Sequence, residues 1–75
     1  MKIITLITLD GYKDWNVVET VTKTVPDNMS LVEFFNEERD ADITSLKDLC
    51  TDEPVTNLNV TTCMGEENGF VFVII

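Results

Sequence analysis

Two thiols, Cys50 and Cys63, are the strongest nucleophiles in the sequence, and no histidine accompanies them anywhere in the chain. Histidine is the usual general base and transition-metal ligand, so cysteine–histidine and serine–histidine catalysis are excluded. Neither thiol has a basic sequence neighbour placed to lower its pKa, and both are expected to be small, reduced core residues. The run Asp40-x-Asp42-x-Thr44 begins like a calcium loop, yet its sixth position is Ser45 instead of glycine and its twelfth is Thr51 instead of a bidentate glutamate. A glycine-rich phosphate loop is absent, and Arg39 is the only arginine. The expectation is a protein without enzymatic activity, cofactor or metal.

What remains is charge. Fourteen acids face five basic residues, a net charge of −9 in 75 residues, and residues 1 to 25 are balanced, so the whole excess lies from Pro26 onward. Direct nucleic-acid binding needs a basic patch to neutralise phosphates and is not expected. The same field favours the converse, a folded acidic surface seated on a positively charged one. Glu37, Glu38 and Asp40 crowd the end of an expected helix, where the macrodipole disfavours each anion by roughly 0.3 to 1 kcal/mol and Arg39 offsets only part. The residues expected to meet a partner are Glu33, Glu37, Glu38, Asp40, Asp42, Asp48, Asp52 and Glu53.

The elements that must carry these groups are short. Lys2 to Leu9 is apolar on both alternating faces and reads as a central strand. After an Asp10-Gly11 turn, Trp15 to Val25 reads as a one-sided edge strand, with Val17, Val21 and Val25 sharing the parity of Trp15. Pro26 ends it. Ser30 and Glu33 have capping-box spacing and start a helix over Leu31 to Arg39, with Leu31, Phe34 and Phe35 inward and Glu33, Asn36, Glu37 and Glu38 outward. A second short helix is expected from Thr44 or Ser45 to about Cys50. Val55 to Met64 reads as one strand, with Leu58, Val60 and Met64 on one parity. The Asn68-Gly69 signal then turns the chain into a last strand, Phe70 to Ile75, again apolar on both faces. The expected fold is one α+β domain, a four-stranded mixed sheet of order 2-1-4-3 with its first and last strands parallel and both helices on one face.

That order, with Met1-Lys2-Ile3 opening a hairpin and Val25-Pro26-Asp27 leading into the helix, resembles the ubiquitin-like β-grasp fold over roughly residues 1–40. Modifiers and sulfur carriers of that family end in an exposed Gly-Gly tail, whereas this sequence closes on Val73-Ile74-Ile75, so conjugation is not expected. Its iron–sulfur members use four cysteines, and two cannot hold such a cluster within one chain.

The apolar run at the end is too short to span a bilayer, and no signal peptide is recognised, so a cytoplasmic protein is expected. The functional expectation is a small acidic binding module. Its most concrete form is a phage- or virus-like inhibitor, as some DNA mimics are, docking on the basic surface of a nucleic-acid-binding protein. The alternative is a structural subunit that associates through sheet edges and apolar strand faces, with Trp15, Val71, Val73 and Ile75 as the self-association residues. The expected state is a monomer or a homodimer.

Overall fold

The computed structural model describes all residues, Met1 to Ile75. Five strands, β1 (Lys2–Asp10), β2 (Asn16–Val25), β3 (Val55–Asn57), β4 (Val60–Met64) and β5 (Asn68–Ile74), form one sheet of order β2-β1-β5-β4-β3. Every neighbouring pair is antiparallel. One α-helix, α1 (Leu31–Arg39), and a 3-10 helix, Leu46–Leu49, lie in the connection from β2 to β3. Because β2 and β3 are the two edges and point the same way, this connection must cross the whole sheet. The α+β class holds.

The detail differs from the four-stranded, β-grasp-like sheet expected from the sequence, and the cause is one turn. Val55 to Met64 is not one strand: Leu58 and Asn59 reverse the chain, and Asn57 pairs with Val60 across the turn. Leu58 has φ 56° and is 92% exposed, so it points away from the core it was expected to join. That extra reversal inverts the last strand. β5 therefore runs antiparallel to β1, with Ile4 opposite Ile74 and Leu6 opposite Phe72, where a β-grasp order requires the parallel sense.

The core lies between the sheet and the helical connection. Phe34 and Phe35 from α1 meet Ile4 and Leu6 of β1, Cys63 of β4, and Phe70 and Phe72 of β5, all buried, with Val25 closing one end. Phe35 stands edge-on to Phe70, ring centroids 5.1 Å apart at 84°, the arrangement that aromatic quadrupoles prefer. Helix α1 starts where expected: the Glu33 backbone N–H donates to Ser30 Oγ at 3.1 Å. The box is half formed, since the Glu33 carboxylate accepts from the Ser30 hydroxyl and not from the Ser30 backbone. The 3-10 helix carries the complete box instead, between Ser45 and Asp48.

Strand β2 departs from simple alternation. The register against β1 slips between Thr8 and Leu9, so that Thr8 faces Glu19 while Leu9 faces Val17. The extra residue, Val18, is a β-bulge, and it moves Val17 to the opposite face from Val21 and Val25. Trp15 is not in the strand. It has φ 60°, its N–H bonds Asp10 O at 2.8 Å, and its ring rests on Gly11, where an added Cβ would sit 2.8 Å from the indole. Only glycine leaves room for that ring.

Candidate functional site

The two sides of the sheet differ in chemistry, and strand pairing shows how. Directly opposite residues share a face. On the helical side Ile4 is opposite Lys23, Leu6 opposite Val21, and Thr8 opposite Glu19. On the other side Ile3, Thr5 and Ile7 are opposite Thr24, Thr22 and Thr20, and Leu9 is opposite Val17. Farther across that side Ile7 is opposite Val71, Thr5 opposite Val73, and Thr62 opposite both Val71 and Val55. Every position on the helix-free face is apolar, threonine, glycine or asparagine. All nineteen charged side chains of the chain lie elsewhere.

Three of the five cationic side chains, Arg39, Lys23 and Lys47, are held by acids, and Lys2 and Lys13 are in no ion pair. Arg39, in the last turn of α1, reaches over the sheet to pair with Glu19 at 3.0 Å, donates to Thr8 Oγ1, and stacks its guanidinium 5.8 Å from the Phe70 ring centre. Its Nε is buried without a partner. Lys23 binds Glu38 at 2.7 Å and Lys47 binds Glu53 at 2.6 Å. The amino terminus pairs with Asp27 at 2.9 Å.

This sorts the eight acidic residues expected to meet a partner. Glu38, expected on the outer face, is turned into the Lys23 pair with its side chain only 13% exposed. Asp48 is occupied by the cap of the 3-10 helix, accepting from the N–H groups of Thr44 and Ser45, and Glu53 by Lys47. Glu33 is exposed beside its Ser30 bond. Glu37, Asp40, Asp42 and Asp52 are exposed with no side-chain partner in the protein. Glu33, Glu37 and Asp40 fall at helical spacings of four and three and form one row along the outside of α1.

The placement of Asp40 and Asp42 depends on a residue whose role the sequence reading missed. Asn36, expected on the outer face, is half-buried, and its side-chain amide grips the backbone of Ile43 from both sides: Nδ2 donates to Ile43 O at 3.0 Å, and Ile43 N donates to Oδ1 at 2.9 Å. The Ala41 N–H returns to Asn36 O at 3.1 Å, and Asp40 takes the left-handed conformation, φ 49°, that ends the helix. Asparagine is the ordinary residue for such local bonding, but helical spacing alone placed it outside.

A polar cleft of about 440 Å³ opens between the 3-10 helix and the β4–β5 connection, with Asp48, Cys50, Glu66 and Glu67 in its wall. No cationic side chain lines it, and the Cys50 thiol donates to Leu46 O at 3.4 Å. The fully buried Cys63 thiol has its pKa pushed up to about 12, first by burial and then by hydrogen bonding to the free Cys50 thiol. A raised thiol pKa is the opposite of nucleophilic activation at Cys63. At the cleft's far end Tyr12 donates to Glu67 at 2.8 Å, and that bond raises the phenol above its usual 10.0. No three histidine, cysteine, aspartate or glutamate side chains converge as a metal-binding group, and no helix is long and apolar enough to cross a membrane.

Of the residues expected to self-associate, Val71, Val73 and Ile75 lie on the uncharged face, and Ile75 is 78% exposed. Trp15 is packed against Gly11 in the β1–β2 connection. No protein-family model matches the chain, and no curated protein or solved structure is significantly similar to it.

Proposed function

We propose that the protein is a non-catalytic binding module whose helical side docks on a basic protein surface. One observation carries this reading: Lys23, Arg39 and Lys47 are engaged by Glu38, Glu19 and Glu53, only Lys2 and Lys13 are left outside ion pairs, and Glu37, Asp40 and Asp42 face solvent unpaired around the end of α1. A rigid display of uncompensated carboxylates steers toward positive charge and binds with strong salt dependence. The sharper form of the proposal is inhibition, in which the module occupies a basic groove that otherwise takes nucleic acid, inside the cytoplasm. Support for that form is the sign and placement of the charge alone.

The test is affinity capture from native cell lysate with the wild type and with a triple reversal, Glu37→Lys, Asp40→Lys and Asp42→Lys. Proteins held by the wild type in low salt are expected to be released at about 0.5 M salt, where the screening length falls to a few ångströms, and to be missing from the variant. The inhibitor form further requires that added duplex DNA compete them off. Partners retained by the folded variant and in high salt would overturn the docking reading.

A further inference from the structure

The helix-free face of the sheet is apolar where a lone domain of this kind would be polar. β1 and β5, the inner strands, carry Ile3, Ile7, Leu9, Val71 and Val73 there, and strands apolar on both faces belong to sheets covered on both faces. Only one face is covered by this chain. Just eleven residues are buried, a thin core for a domain that must offset the ordering of 75 residues.

The face is also continuous. At one end of β5, Gly69 lies under the side chains of its two cross-strand neighbours: an added Cβ would be 2.7 Å from Met64 Sδ and 3.4 Å from Leu9 Cδ1. Met64 and Leu9 therefore close over the glycine, and the apolar surface passes from β1 to β4 without a gap. Threonines of β2 and Thr62 of β4 flank it, and Asp52 and Glu53 border it at the β3 corner, beside Val55, Thr62 and Met64.

We infer that this face is a homodimer interface, occupied by the same face of a second copy. Charge selects the occupant. Two chains of net charge −9 repel, and this face is where they meet with the fewest opposing carboxylates, because every acid sits on the helical side, at an edge or in a connection, with Asp52 and Glu53 bordering its β3 corner. Area permits it. With strands about 4.8 Å apart and one outward residue per ~6.7 Å along each, the five-stranded face projects to roughly 500 Å², more once side-chain relief is counted. Two such faces bury about 1,000 Å² or somewhat more, the threshold a biological interface must clear. The contact is isologous, with the two-fold axis in the plane between the sheets, and yields a helix–sheet–sheet–helix sandwich with sheets about 10 Å apart. The two acidic helical sides then point in opposite directions, so the dimer is a bivalent version of the docking module, although neither reading requires the other.

Sedimentation equilibrium of the full chain over a dilution series, in reductant, tests this. The wild type is expected to fit a reversible monomer–dimer equilibrium with a limiting mass twice 8.5 kDa. Val71→Lys, at the centre, is expected to weaken it at least tenfold. Thr22→Lys, on the frame of the same face and cheap to fold, is expected to weaken it several-fold, while Glu37→Lys on the helical side leaves it intact or tighter. Raising salt from about 50 mM to about 500 mM is expected to tighten the dimer by screening the mutual repulsion, the opposite of its effect on acidic docking. A wild type that stays monomeric up to millimolar concentration, or a dimer indifferent to both lysine variants, as pairing through the β2 edge would be, overturns the inference.

Discussion

The two faces of this single sheet solve opposite problems. On the helical face, Arg39 is tied to Glu19 and Lys23 to Glu38, so that local charge is neutralised where α1 packs on the sheet. On the other face no strand position is charged, Asp52 and Glu53 bordering it at the β3 corner, and apolar side chains are left half-exposed among threonines. An acidic protein of this size would be kept soluble most simply by spreading its carboxylates over both faces. Their segregation is what the docking and dimer proposals rest on.

The comparison is broken most severely by truncating each face in turn. Phe72, fully buried under Phe35, and Val73, its neighbour on the other side of β5, are adjacent in sequence and opposite in environment. Phe72→Ala is expected to cost about 3 to 5 kcal/mol, enough to leave a marginal domain largely unfolded. Val73→Ala, measured at concentrations dilute enough to hold the monomer, is expected to cost about 1 kcal/mol. Urea unfolding followed by circular dichroism reads both, and comparable losses would mean that the faces are not energetically distinct.

A smaller effect sharpens the account of the covered face. Cys63 keeps its proton to about pH 12 in the folded chain, whereas an unfolded thiol loses its own near 9.0. Between those values the unfolded state binds fewer protons, so the stability linked to this thiol is complete below pH ~9 and is lost as pH rises toward 12. Unfolding under reducing conditions is expected to show a wild type that loses up to about 2 kcal/mol more than Cys63→Ala between pH ~8 and ~10.5. Parallel losses in the two proteins would place the thiol in a wetter setting than the core beside Phe70.

The sequence carried local features well and the pairing of strands poorly. Leu31–Arg39 was legible because Ser30 can cap it and Phe34 and Phe35 set its inner stripe, and the doubly apolar inner strands were legible from composition. The Leu58-Asn59 turn was not, since a leucine at φ 56° lacks the glycine signal that tight hairpins advertise. Missing that one reversal turned an antiparallel sheet into a mixed one and produced the β-grasp expectation. The Val18 bulge was hidden for a related reason: a valine run fits either face, and only the partner strand shows where the register slips.

The acidic surface was legible as charge but not as geometry. Net charge and its position from Pro26 onward follow from residue type, while the removal of Glu38 into a Lys23 pair and of Asp48 into a cap depends on contacts that helical periodicity does not encode. The uncharged face was visible only in part, through Val71, Val73 and Ile75. Its extent over β2, β3 and β4 follows from cross-strand pairing.

The central claim is that one face of the sheet is sealed by this chain and the other by a second copy. Methyl-resolved NMR across a dilution series tests it directly, because the methyls of Ile4 and Leu6 report the sealed face and those of Ile7, Val71 and Val73 the open one. The account predicts concentration-dependent shifts at Ile7, Val71 and Val73 with Ile4 and Leu6 nearly still. Shifts that cluster on Leu31 and Val32 of α1 or along the β2 edge, or none at any concentration, would contradict it.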